Sequence, residues 1–397
     1  MRMKIESVDV YVCKFNRHYK IRGVQEAPGL IEPTDYYFEP HWCQIYSRKM
    51  ETCLIKLTTD NGLTGWGEAQ APVLPGIAGS IIHELLGPFL LGRDPLQHEV
   101  IYHQMFHMME VRGHGNSFFH DAIAAIDIAL WDLKGKHYNA PISELLGGPF
   151  TLELPAYVSG LRQPTLEDQA NAAKEYVSQG FQGIKLLLGH GLDRDVQIVE
   201  TIRKAIGMQA ELYVDLLWKY SLAEIIRLEQ ELAPLNVGFM EAPMSPNDLP
   251  SHRTLAQRTK IPIALGEPFR TVHEMAPWIE SRAAHVIQPD VARCGITSLM
   301  RIAELARTHY MKVAPHSGIG SCIGMAATLQ VSASMPHFLI QEFQLDMFDE
   351  HRKMMEEPLQ IANGKFVVPQ SPGLGIRVKE SYIAENAASH WSIRSNK

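Results

Sequence analysis

From about residue 154 onward the chain repeats one pattern: a short apolar run, a turn, an amphipathic helical segment, then another run. The runs are PAYVSG, GIKLLLG, ELYVDLLW, VGFMEAP, PIALGE, HVIQPD, KVAPHS and FLIQEF, eight in all. Segments such as SLAEIIRLEQELAPL and SLMRIAELARTHY separate them, with apolar residues at helical spacing. Strands joined through helices pair in parallel, because a parallel return needs a crossover. Eight such units over roughly 200 residues predict an α/β fold closed as a TIM-like barrel, at the compact end for that architecture. A doubly wound sheet is the alternative, but no GxGxxG follows the first strand.

The first 150 or so residues read differently, as α+β. Strands are predicted over 4–15 and 52–59, and Asp60-Asn61-Gly62 turns the second into a third over 63–67. Helical patterns follow over 77–90, 95–109 and 118–138, the last with a broad apolar face. The interval 16–50 is long for a loop inside a compact domain, which marks it as functional or disordered. At the other end, Asn363-Gly364 predicts a hairpin, after which the tail returns to the N-terminal region. The division is 1–152, 153–355 and 356–397.

Strands buried on both faces have little room for charge, yet these runs end in ionisable residues. Asp215, Glu241 and Glu267 close three successive strands at intervals of 26 residues. Asp290, His316 and Glu342 close the next three, at intervals of 23, 26 and 26. In a barrel all six face the C-terminal mouth, where barrel active sites lie. Three neighbouring carboxylates repel one another, and a hard divalent cation relieves that; oxygen donors alone select Mg²⁺ over zinc. His316, one βα unit beyond Asp290, is the candidate base, since a carboxylate orients an imidazole and raises its basicity.

Composition narrows the partners. With 46% hydrophobic and 20% charged residues, a net charge of −7 and no long basic run, nucleic acid and anionic membranes are excluded as expected partners. No stretch is long and apolar enough to span a bilayer. The five cysteines (Cys13, Cys43, Cys53, Cys294, Cys322) are odd in number and lack CxxC spacing, which predicts a reduced, cytoplasmic protein. The opening MRMKIESVDVYVCKF alternates like a strand and predicts no secretory leader. His98, His103, His107, His114 and His120 invite a zinc reading. However, HQMFH has Gln104 where HExxH needs its glutamate, so packing or surface histidines are expected. The Met-rich 105–111 stretch reads as core or subunit contact.

AIDIALWDLKGK (125–136), LLGG (145–148), the Asp/Glu/Glu set, QPDVARCGIT (288–297), VAPH (313–316) and PGLGI (372–376) occur in order along nearly the whole chain. The set resembles the mandelate racemase subgroup of the enolase superfamily. That resemblance implies a (β/α)₇β barrel capped by an α+β domain built from both chain ends. It implies Mg²⁺ on Asp215, Glu241 and Glu267, an Asp290–His316 dyad as base, and Glu342 at the substrate carboxylate. It also implies a homo-oligomer, dimer or octamer. Many members carry Lys-x-Lys on the second barrel strand; here the match is Lys185-Leu186-Leu187. Lys185 fits the lysine that binds the substrate carboxylate, whereas Leu187 replaces the second base. The Asn often found two residues after the first metal ligand is also replaced, by Leu217.

A racemase needs an acid or base on each face of its enolate, so the expectation shifts to dehydration of a sugar acid. His316 removes the α-proton, Mg²⁺ holds the ene-diolate charge, and the β-hydroxyl leaves to give a 2-keto-3-deoxy acid. Substrate contacts are expected from His18, Tyr19, Arg22, Tyr37 and Trp42 of the long interval, and from Trp218 and Arg270 beyond the metal strands. The competing readings are a cycloisomerase or epimerase, a catalytically retired binding protein, and an aldolase using Lys185 as a Schiff base.

Overall fold

The computed structural model describes residues 3–16 and 35–395. His18, Tyr19 and Arg22 lie outside them. The N-terminal sheet runs β1 (Ile5–Asn16), β4 (Lys49–Thr59) and β5 (Thr64–Ala69), antiparallel and in that order. Between β1 and β4 a separate hairpin forms from β2 (Tyr36–Glu39) and β3 (Gln44–Ser47), so part of the long interval is ordered structure. β4 starts before the expected residue 52 because β1 extends to Asn16, which pairs with Lys49. Gly62, at φ 84°, makes the β4–β5 turn, and Asn61 Oδ1 accepts from Thr59 Oγ1 at 2.6 Å.

The helix expected over 77–90 is instead three pieces: Pro75–Ile81, a π-turn at Ile82–Leu86, and Gly87–Leu90. Pro88 has no N–H to give to the preceding turn, so a regular helix does not pass through it. The expected 95–109 helix shrinks to His98–His107. The helix Phe118–Tyr138 forms over the whole predicted span.

The barrel strands are β6 (Glu153–Ser159), β7 (Gly183–Leu187), β8 (Glu211–Asp215), β9 (Val237–Glu241), β10 (Ile263–Leu265), β11 (Val286–Ile287), β12 (Lys312–Val313) and β13 (Gln341–Gln344). All pair in parallel from β6 to β12, and β13 pairs back onto β6. The last seam, β12 to β13, is closed by the Val313–Phe338 bridge and by Leu339 N donating to Val313 O at 2.8 Å. That closure removes the doubly wound alternative. Tyr157, Tyr213, Phe239, Ala264, Val286, Ala314 and Ile340 pack together as one buried cluster. Because strand side chains alternate, the face that presents Tyr213 and Phe239 to this plug presents Asp215 and Glu241 one step higher.

The tail first makes a hairpin, β14 (Ile361–Ala362) and β15 (Lys365–Val367), on β6, and then contributes β16 (Ala387–Arg394) beside β1. The 125–136 motif docks the two layers. Asp132 accepts from Trp66 N and Leu374 N, each at 2.9 Å, joining β5 and the PGLGI turn to one helix. Gly67 permits that approach, since a Cβ there would lie 1.8 Å from Ala125 O. Asp127 reaches the barrel, accepting from Thr297 N at 2.8 Å and Thr297 Oγ1 at 2.6 Å.

Burial pushes the Asp127 carboxyl up to about 6, against the pull of the Thr297 bonds. The folded form therefore keeps this proton to higher pH than the unfolded chain, which releases it near pH 4. Stability from this group is complete below about pH 4 and is lost as pH rises toward 6. Asp127→Asn lacks the effect. Urea unfolding from pH 7 to pH 4 should show the native protein gaining about 3 kcal/mol relative to that variant. A difference that stays flat with pH contradicts the assignment.

His103 and His107 of the capping region pack edge-on, with ring centroids 4.5 Å apart. His98 packs edge-on against Trp131 with centroids 4.6 Å apart, and His120 packs against Phe106 at 5.1 Å. Burial lowers His120 to about 4. Among the described residues no helix is long and apolar enough to cross a membrane.

Candidate active site at the barrel mouth

Lys185 stands near the end of β7, fully buried, with its Nζ 2.9 and 2.8 Å from the two oxygens of Glu241 and 2.8 Å from Glu342 Oε1. Burial works against its charge, but Glu241 and then Glu342 outweigh that, and its pKa rises well above the usual lysine value. The amine is therefore held as an ammonium, which argues against a Schiff-base nucleophile. Glu342 accepts further bonds from Ser317 N at 2.9 Å and Gln344 Nε2 at 3.2 Å. Glu241 also accepts from Gln288 Nε2 at 2.7 Å. Sequence reasoning missed Gln288, although it lies two residues before Asp290, at the alternation that puts both on one strand face.

Asp290 caps the helix Val291–Thr308, its Oδ1 accepting from Ala292 N at 2.9 Å. That leaves Oδ2 for His316 Nδ1, at 2.7 Å. The ring is thereby fixed with Nε2 directed at Glu267 Oε2, 2.9 Å away. Burial opposes protonation of His316, but Glu267 and the hydrogen bond to Asp290 raise its pKa well above the usual value. Glu267 moves the other way. Burial alone would raise it, but the His316 charge and hydrogen bond hold it well below the usual carboxylate range.

The expected metal set is only partly the one that converges. Ligating atoms of Glu241, Glu267 and His316 lie within 4.8 Å of one another, and Asp215 is not in that group. Asp215 Oδ1 is taken by Leu217 N at 3.0 Å. Its carboxyl is nonetheless part of the same field: burial, then the Glu241 charge, push its pKa well up. A buried acid destabilised by neighbouring acids is the electrostatic mark of a site short of positive charge. The donors Asp215, Glu241 and Glu267 are all carboxylates, so the residues present fit Mg²⁺.

The other predicted contacts divide. Trp218, at φ 59°, points Nε1 at Glu267 Oε1, 3.4 Å away. Arg270 is engaged by protein partners. Its Nε donates to Asp121 Oδ1 at 2.9 Å and its Nη1 to Pro268 O at 2.7 Å, so the guanidinium ties the barrel loop to the capping helix. Tyr37 is buried, pairing across the β2–β3 hairpin with Tyr46. The hairpin reaches the mouth: His41 Nε2 lies 2.8 Å from Gly189 O, and Trp42 packs edge-on with His190 at 5.8 Å. Tyr46 was also missed. Burial first, then Tyr37, Asp215, Glu39 and Glu267, raise its phenol's pKa, which puts it in the field of the site carboxylates.

Leu187, two residues beyond Lys185 and paired in register with Asp215, brings no titratable group to its strand end.

Two family models match the chain. "Enolase C-terminal domain-like" covers residues 168–382, and "Mandelate racemase / muconate lactonizing enzyme, N-terminal domain" covers residues 36–147. The chain is 31% identical over 345 residues to a D-galactarolactone cycloisomerase from Agrobacterium fabrum, covering 84% of this chain and 90% of that protein. It is 31% identical over 347 residues to a D-xylonate dehydratase from Haloferax volcanii, covering 81% and 82%. Among solved structures, a member of the enolase superfamily from Agrobacterium tumefaciens matches with a TM-score of 0.93 at 32% identity, over 99% of this chain and 100% of that one.

Proposed function

The chain belongs to the mandelate racemase/muconate lactonizing enzyme group of the enolase superfamily, and on that premise we propose that it dehydrates a sugar acid to a 2-keto-3-deoxy acid. The observation that carries this reading is the asymmetry of the mouth. The Asp290–His316 dyad stands on one strand pair, and Leu187 stands where a second base would be needed.

His316 Nε2, neutral once its contact with Glu267 is given up, takes the α-proton while Asp290 holds the Nδ1–H tautomer. The Lys185 ammonium, set between Glu241 and Glu342, is the group expected to offset negative charge on the substrate carboxylate. Bound to Asp215, Glu241 and Glu267, Mg²⁺ would supply positive charge to the carboxylates and to the substrate, and so compete with His316 for Glu267. The β-hydroxyl then departs as water, carrying the proton that His316 took, so elimination is syn. The enol tautomerises to the keto acid. Trp218, beside Glu267, is the residue expected to meet the polyol.

The relative named as a cycloisomerase supports a second reading. There the same α-proton is removed, but the β-oxygen that leaves belongs to the substrate's own ring, and no water is lost.

A panel of stereoisomeric aldonic and aldaric acids, with their lactones, assayed for 2-keto product with Mg²⁺ and again with chelator, tests the proposal. Keto acid is expected from at least one free acid, only with the metal. Turnover of lactones alone favours the cycloisomerase. No product from any of them overturns both readings.

A further inference from the structure

The capping domain contributes to the site through an acid that no strand-end pattern reveals. Glu68 is fully buried near the end of β5 and accepts four hydrogen bonds. One comes from its own sheet, from Thr52 Oγ1 at 2.6 Å. Three come from the barrel: Ser321 N and Ser321 Oγ, each at 2.6 Å, and Gly324 N at 2.8 Å. Ser321 is the N-cap of the helix Cys322–Ala333 and follows His316 by five residues. The carboxylate thus closes the first turn of that helix, where a negative charge is favoured. Residue 324 must be small for this, since a Cβ there would lie 2.7 Å from Glu68 Oε2.

Gln70, two residues on, reinforces the tie. Its Oε1 accepts from Arg293 Nε at 2.5 Å, and its backbone N–H donates to Ala292 O at 2.8 Å. Arg293 Nη1 in turn holds Glu267 O at 3.0 Å. The turn after the base is packed against the same strand end. A Cβ on Gly318 would meet His316 Cε1 at 2.5 Å and Gln70 Nε2 at 2.8 Å. His351 Nε2 binds Gly320 O at 3.0 Å from the other side.

We infer that Glu68 is a positioning residue for the Asp290–His316 dyad, tying the 317–321 turn to the capping sheet so that docking of the cap aligns the base. This rests on His316 being the base of the proposed reaction. All of Glu68's partners are donors, so Glu68→Gln keeps the shape but turns an N–H toward one of them. Ser321→Ala removes one bond only and serves as a second, milder variant.

Peptide-resolved hydrogen–deuterium exchange of the holoenzyme with Mg²⁺, without substrate, reads the positioning itself. Exchange over residues 316–325 should quicken by about ten-fold in Glu68→Gln, with the other barrel peptides unchanged. On the acid found by the panel, kcat should fall by about 100-fold, with KM and Mg²⁺ affinity within about three-fold of native. Ser321→Ala should shift both readouts the same way by less. Unchanged exchange over 316–325, or faster exchange there with native kcat, overturns the inference. If the native enzyme turns over no acid, the functional reading fails and the exchange result still decides whether Glu68 holds the turn.

Discussion

Replacing His316 with asparagine should lower kcat by about 10³-fold or more, while calorimetric Mg²⁺ titration still shows binding. His316 makes two side-chain contacts in the site, with Asp290 on Nδ1 and Glu267 on Nε2. Asparagine restores neither the proton-accepting nitrogen nor the ring's reach, but it leaves all three carboxylates in place. Metal affinity should change little, because the oxygen donors dominate binding of a hard cation. A variant that retains most of the native kcat, or that loses Mg²⁺ altogether, would show that His316 is not a base beside an oxygen-ligated metal.

Replacing Lys185 with methionine should be costly in two separable ways. The ammonium lies between Glu241 and Glu342, all three side chains being almost wholly buried. Removing one member of such a cluster leaves uncompensated buried charge and should destabilise the fold by about 3–5 kcal/mol, read from the denaturant midpoint without divalent cations. Adding Mg²⁺ should recover part of the loss, since anything that binds the folded form alone stabilises it. With the metal present, kcat/KM should still fall by about 10²-fold or more, because a buried donor to developing charge is gone. Native stability with weakened activity would assign Lys185 to substrate alone. Native activity would remove it from the site.

The barrel was legible because its strands announce themselves twice, as apolar runs and as polar residues at their ends. The spacing from Asp215 to Glu342 is a chain-level image of strands side by side, and no tertiary knowledge is needed to read it. Less was legible where the signal depends on partners distant in sequence. Arg270 has the chemistry of a pocket residue, but Asp121, about 150 residues earlier on the capping helix, takes up its guanidinium. Glu68 lies in an N-terminal strand and Gln70 just beyond its end, and they acquire their role from Ser321, Gly324 and Arg293. Tyr46 became visible only with the β2–β3 register that sets it beside Tyr37. The break in the 77–90 helix is readable in principle, since Pro88 interrupts the helical periodicity. Asp215 illustrates a different limit. Its strand position was foreseen, but not that its oxygen would turn to Leu217 N while Glu241, Glu267 and His316 converge.

Proton abstraction rests on one base, His316, with Leu187 standing where a second base would be needed. The most direct measurement runs the active acid to partial conversion in D₂O with Mg²⁺ and follows the α-carbon of the recovered substrate by NMR. The account predicts 2-keto-3-deoxy acid as product and recovered substrate of unchanged configuration, with any deuterium introduced with retention. Recovery of the α-epimer carrying deuterium would require a second base on the opposite face and would contradict it.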